Sequence, residues 1–369
     1  MFWYLLNIFL TIIAWIWPIE AGSTWGKDYK RKYSNINTRA KRTCIVATVN
    51  WIILSGCRAI TVGADTYAYK YYRFDVTATR SWESIFTDFI LKYKMGEDIK
   101  DPGYPLLEKL FQIVSTNYQL WLLFIAIIFT IPMSMWIYKY SRNACISYIL
   151  YSSLFYTFFA ITGHRQTIAT ALVVWLGGKL IKERKLIPFL LVVAISMTIH
   201  TSAICFLPFY WISQIKINKL TLGLYWSAIL FAFLFRTQFL VLLQSLVGYE
   251  DYQQIETARA GSFLYLLLAV ALIVTLFFKQ LSRRSDNPIL NMSFNALFIA
   301  TVFSPLLLIN SACMRIIQYY SIFLLFLLPE LELILAKGQS RTIFRVGVSV
   351  VMICLLVLNN PTYSFFFMQ

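Results

Sequence analysis

Twelve apolar runs follow one another along the chain, at about 1–19, 43–57, 118–138, 144–162, 165–181, 186–199, 201–215, 220–240, 262–279, 288–309, 316–336 and 342–358. A helix in contact with hydrocarbon needs no polar face, whereas a water-soluble domain of this length could not hide so much apolar surface. Of 369 residues 59% are apolar and only 14% charged, so the surrounding medium is lipid. The expected fold is therefore all-α: a polytopic integral membrane protein of about twelve transmembrane helices, forming a single transmembrane domain over 1–369. The first run has no basic residue ahead of it and no small-residue cleavage site, so it reads as a retained helix. Runs 165–181 and 201–215 fall short of the roughly 20 residues a straight span needs, which predicts tilt, local thinning or a re-entrant path there.

Lys and Arg gather in cytoplasmic loops, so the charge distribution fixes the orientation. With both termini placed outside, the inward loops hold 21 of the 33 basic residues, while the outward side carries 11 of the 17 acidic ones. The two sides then differ as +15 against +1. The high net charge comes from these loops and not from a basic stripe interleaved with aromatics, so nucleic acid is not an expected partner. Six cysteines are scattered without CxxC or metal-ligand spacing and read as small buried hydrophobes.

One outward loop, 58–117, is long. Within it Trp82, Ile85, Phe86, Phe89, Ile90 and Tyr93 recur at helical spacing after Ser81, a natural N-cap, which predicts an amphipathic helix in the outer interface. A second short helix is expected to follow Pro105, with Pro at its first turn and Leu106, Leu107, Leu110, Phe111 and Val114 on one face. A loop of this length in a chain otherwise made of spans points to function.

Five stretches interrupt the apolar pattern with ionisable or turn residues, and the charge-derived topology puts all five at outward ends of spans. They are Arg58 with Gly63-Ala64-Asp65-Thr66 and Tyr69; Asp101-Pro102-Gly103-Tyr104; Gly163-His164-Arg165-Gln166; Ile199-His200-Thr201-Ser202; and Arg315 with Gln318, Tyr319 and Tyr320. Arg58 and Arg315 read equally as snorkelling side chains or as ligand-binding cations. Arg165 opens a short span without a second basic neighbour, a setting in which helix N-terminal amides and a guanidinium jointly hold phosphate oxygens. His164 and His200 are the only two histidines, and each reads either as an interfacial hydrogen bonder or as a site residue. Asp65 and Asp101 also suit turns, and Arg236 reads as a snorkelling side chain. Phosphate-binding loops, dinucleotide fingerprints, HExxH and Gly-x-Ser-x-Gly elbows are absent from the sequence. Outward cations with histidines and carboxylates suit an anionic lipid-linked substrate whose diphosphate leaves without a cytosolic nucleotide.

In order and spacing these five stretches resemble the EpsG-like branch of bacterial polysaccharide polymerases, related in function to the Wzy O-antigen polymerases. The matching residues are Arg58…Gly63-Ala64-Asp65-Thr66…Tyr69, Asp101-Pro102-Gly103-Tyr104, Arg165-Gln166…Ala169, His200-Thr201-Ser202-Ala203 and Arg315…Tyr320. Ala64 stands where the family often has Thr, and Asp101 where Glu is common, which keeps the acid but shortens its reach. The resemblance implies a GT-C-like architecture in the bacterial inner membrane. It also implies a metal-independent, inverting glycosyltransferase without cofactor, joining undecaprenyl-diphosphate-linked repeat units on the extracytoplasmic face. Its partners would be the lipid-linked glycan donor and acceptor, with a chain-length regulator and a flippase in the same membrane. Arg165, Arg315 and Arg58 are then the expected diphosphate ligands, and His200 the base, with Asp65 as competitor. Gln166, His164, Asp101, Tyr104 and Tyr320 would contact substrate. A flippase for the lipid-linked unit and an envelope glycan ligase or acyltransferase remain alternatives.

Overall fold

The computed structural model describes residues 1–17, 28–247, 257–334 and 338–368, and within these no side chain of 28–36, 246–247 or 257–260. Among the described residues the regular structure is helical, apart from one isolated antiparallel bridge between Arg58 and Phe365. The helices fall into two compact units, residues 1–171 with 337–369, and residues 172–336.

The first unit opens with α1 (Phe2–Ile16) and α2 (Asp28–Gly56). Tyr4, Asn7, Ile8, Thr11 and Ala14 form the buried stripe of α1, at the three-and-four spacing of a helix packed on one side against α2. Arg42 of α2 reaches back to the end of α1, donating from Nε to the Ala14 carbonyl at 2.6 Å and from Nη2 to the Trp17 carbonyl at 2.8 Å. It thus satisfies carbonyls that have no partner within the helix and places a cation at the negative end of its dipole. The 58–117 segment then folds as α3 (Thr66–Tyr69), α4 (Asp75–Thr79), α5 (Trp82–Ile90) and α6 (Gly103–Gln112), followed by α7 (Tyr118–Tyr140), α8 (Ala144–Leu150) and α9 (His164–Thr170). Helices α2 and α7 pack along one another. Their backbones come so close at Gly56 that a Cβ there would stand 2.9 Å from the Cα of Leu123.

The second unit contains α10 (Gly177–Lys182), α11 (Leu186–Ile199), α12 (Phe209–Ile212), α13 (Lys219–Leu234), α14 (Arg236–Val247), α15 (Thr257–Leu276), α16 (Phe278–Ser282), α17 (Pro288–Phe303), α18 (Met314–Ser321) and α19 (Leu324–Leu331). Every residue from Ile289 to Thr301 is buried, so α17 is the axis of this unit. The last long helix, α20 (Gln339–Asn359), returns to the first unit and packs on α8.

Three described helices are long and apolar enough to cross a bilayer: Tyr118–Tyr140, Pro288–Leu308 and Gln339–Asn359. The number rises to five if the pair 219–234 with 236–245, bent by 90°, and the pair 311–321 with 324–331, bent by 56°, each form one span. Only 11% of the apolar window of α20 is buried inside the protein, against 89% for Pro288–Leu308. An apolar surface of the α20 kind is stable facing lipid and not water, so the chain is a helical membrane protein.

Within the 58–117 segment the cap expected at Ser81 is in place. The Ser81 hydroxyl accepts from the Ser84 amide at 3.1 Å and opens α5. Ile85 is buried, while Trp82, Phe86, Ile90 and Tyr93 stand exposed on the other side. Pro105 lies in the first turn of α6 as expected, but the face of that helix differs from the apolar stripe in the sequence: Tyr104, Pro105 and Glu108 are buried, whereas Leu110 and Val114 are exposed. Polar contacts outweigh hydropathy here, because Glu108 is the group that Thr77 of α4 meets.

Candidate functional site

Arg58 stands two residues beyond the end of α2, and its backbone is seated from two sides. Ala59 N donates to the Ser364 carbonyl at 2.9 Å, and Gln119 Nε2 of α7 donates to the Arg58 carbonyl at 3.2 Å. The side chain is 2% exposed. Its Nη1 donates to the Ser55 carbonyl, and its Nη2 lies 2.7 Å from Nε2 of His164. A guanidinium can only donate, so Nε2 is the acceptor, and His164 is a neutral imidazole carrying its proton on Nδ1. The Nδ1 of His164 and the Nε of Arg58 are both buried and meet no acceptor among the described residues. No carboxylate pairs with Arg58 among the described residues either. An unpaired buried cation with two unsatisfied donors beside it is costly without an anion to receive them.

Tyr69 stacks on His164, ring centroids 4.2 Å apart and planes inclined by 24°. The loop that carries Tyr69 turns at Gly63, whose φ of +96° is left-handed and whose Cβ, if present, would meet the Ile161 side chain at 2.8 Å. Only glycine fits both constraints. Arg165, in the first turn of α9, donates from Nε to the Tyr69 hydroxyl at 3.1 Å and pairs through Nη1 with Oδ2 of Asp101 at 2.5 Å. Asp101 is buried with a left-handed φ of +50°, a conformation that Asp tolerates better than most residues. The Asp101-Pro102-Gly103 turn then delivers Tyr104 into the same cluster, where its ring lies 5.7 Å from that of Tyr69. Gln166 is buried at the next position of α9, and Asp65 is exposed in the turn before α3.

The first three sequence stretches thus meet in the first unit, and the last two meet in the second. His200 is an extended residue capping α11, 7% exposed, and leads into a 3-10 helix, Thr201–Phe206. The Ser202 and Tyr319 hydroxyls are 3.2 Å apart, and the Tyr320 hydroxyl donates to the Cys205 carbonyl. Arg315, in the first turn of α18, is half-buried.

A family model described as the EpsG family matches residues 41–368, nearly the whole chain and all five stretches. The chain belongs to the EpsG family. No curated protein and no solved structure matches it.

The motif pattern by which this EpsG-family chain was read did not include Glu108, which the structure places one helical turn beyond Tyr104. Glu108 is fully buried, and its Oε2 accepts from the Thr77 hydroxyl at 2.9 Å. Burial pushes its carboxyl up to about 8, against the opposing hydrogen bonds of Thr77 and Tyr104 and the fields of Arg73 and Arg165. At neutral pH it is mostly protonated, so among the described residues of the cluster Asp101 is the carboxylate that pairs with Arg165. The legible signal was an acid at i+4 from Tyr104 on a helix whose other buried positions carry no charge.

Proposed function

We propose that the chain is a polysaccharide polymerase that joins undecaprenyl-diphosphate-linked oligosaccharide units at the extracytoplasmic face of the bacterial inner membrane. The observation that carries this reading is the buried Arg58 guanidinium, which leans on a neutral histidine and meets no carboxylate among the described residues, next to the Arg165–Asp101 pair. Such a cluster holds a surplus positive charge in a desolvated setting, which suits the charge that develops on a departing diphosphate. A hydroxyl oxygen of the acceptor unit attacks the anomeric carbon of the donor. The bond from that carbon to the diphosphate oxygen breaks, the lipid diphosphate leaves with the electron pair, and a base takes the hydroxyl proton.

Arg58 and Arg165 serve the diphosphate in this scheme, with His164 and Tyr69 positioning them. The family motifs supply the remaining assignments: Arg315 as a further diphosphate ligand, His200 as the base with Asp65 as competitor, and Gln166, Asp101, Tyr104 and Tyr320 as substrate contacts. The proposal includes inversion without a metal, about twelve crossing segments in a GT-C-like arrangement, and both termini outside. The termini come together within the first unit, where the Met1 ammonium donates to the Pro361 carbonyl at 2.6 Å, which agrees with their sharing a side. A chain-length regulator and a flippase would work in the same membrane.

The test is deletion of the gene followed by electrophoresis of the surface polysaccharide. Product capped by a single repeat unit is expected. Loss of all product would indicate a flippase instead, and free polymer unattached to its acceptor would indicate a ligase.

A further inference from the structure

The first unit carries an open cleft of about 350 Å³ beside the arginine cluster, lined mainly by apolar, aromatic and amide side chains. Ile60 and Leu122 contribute its apolar surface, and the rings of Tyr71 and Phe366 its aromatic surface, both exposed. Its polar groups are amides and an ammonium. The Oδ1 of Asn117 accepts from the Gln119 amide at 2.8 Å, which leaves its NH2 group to donate. Gln119 spends its own NH2 on the Gly56 and Arg58 carbonyls and keeps its Oε1 to accept. Lys70, paired with Asp75 at 2.8 Å, lies over the Tyr71 ring at 4.2 Å. Aromatic faces with a planar donor and a planar acceptor match a pyranose, which offers a C–H face and a rim of hydroxyls that both give and take hydrogen bonds. An acyl chain would leave those amides without partners. The volume lies at the lower end of the roughly 300–1,000 Å³ typical of small-molecule sites, the size of one or two sugar rings.

Two contacts tie the cleft to the arginine cluster. Tyr118 lines the cleft, yet its ring lies 6.3 Å from that of His164 and its hydroxyl donates to the Thr66 carbonyl at 3.1 Å. Gln119 holds the carbonyl of Arg58 itself. A sugar in the cleft is therefore one side-chain layer from a diphosphate held by Arg58. We propose that this cleft is a glycan subsite that seats a sugar of the repeat unit against the exposed part of the Tyr71 ring, which Lys70 and Tyr67 cover only in part, an assignment that rests on the polymerase reading.

The full chain in nanodiscs would be titrated with the free oligosaccharide released by mild acid from lipid-linked intermediates of its own cells, and binding read by saturation-transfer NMR. Tyr71→Ala should raise the half-saturating concentration about tenfold, Tyr71→Phe should leave it within about twofold, and Tyr72→Ala, altering an exposed neighbour outside the cleft, should leave it unchanged. Equal weakening by Tyr72→Ala would reduce these tyrosines to interfacial anchors and overturn the subsite. Wild-type binding that Tyr71→Ala does not alter would also overturn it, with the polymerase reading intact. An absence of wild-type binding overturns the subsite alone if gene deletion still yields single-unit product, and both readings if deletion leaves the polysaccharide unchanged.

Discussion

Glu108 gives the 58–117 segment a stability that depends on pH, and its size follows from the burial of one carboxyl. In the folded protein the proton is held up to about 8, whereas the ordinary value is 4.5. The folded state therefore binds more proton than the unfolded chain between these limits, and stability falls as pH rises through that window. The cost is absent below about 4.5 and complete above about 8, where it amounts to about 5 kcal/mol at 1.36 kcal/mol per pH unit. From about pH 6 to about pH 8 the loss is about 2 kcal/mol. Glu108→Gln keeps the shape and an oxygen for the Thr77 hydroxyl but has no proton to lose, so the substitution should stabilise the protein most at the alkaline end. The assay is thermal or denaturant unfolding of both proteins in nanodiscs at the two pH values. The difference between them should widen by about 2 kcal/mol on going from about pH 6 to about pH 8. An unchanged difference would mean that Glu108 is ionised in the folded state over this whole range, and would refute the reasoning.

Cysteines introduced at positions 30 and 92 should label oppositely with an impermeant thiol reagent in intact cells, once native reactive thiols are removed, and labelling at 30 but not at 92 would reverse the orientation. Arg165→Lys keeps the charge but cannot reach Asp101 and the Tyr69 hydroxyl from two nitrogens of one plane, so polymer should fall by an order of magnitude or more, roughly 1.4 kcal/mol of barrier; normal polymer from Arg165→Ala at normal protein level would remove the residue from the mechanism. His200→Gln should abolish in vitro polymerisation while lipid-linked donor still binds, and Asp65→Asn should retain measurable turnover. The converse pattern would pass the role of base to Asp65.

Helix content and a lipid environment were legible because hydropathy acts residue by residue. Chain direction was not. The run 220–240 reads as one span, yet it turns by 90° at Phe235, and the run 201–215 is a 3-10 helix followed by the four residues of α12. The run 144–162 is α8 continued by two π-helical stretches that stop at Gly163, where a Cβ would stand 3.0 Å from the Phe158 carbonyl. The sequence showed the charged stretches but not their grouping, because Arg58 and His164 lie 106 residues apart and only the packing of α2 and α9 around α7 joins them. Glu108 was overlooked for a related reason. Its significance lies in having no solvent, and hydropathy cannot separate a buried acid from an exposed one on the same short helix.

The bridge between Arg58 and Phe365 sets an order of events during synthesis. The strand partner that seats Arg58 leaves the ribosome about three hundred residues after Arg58 itself. The second unit is contained wholly between the two parts of the first, so it can assemble while the first still lacks α20 and the segment beyond it. A ribosome that stalls within α20 therefore leaves a chain whose Arg58 still lacks the backbone partner that Phe365 supplies.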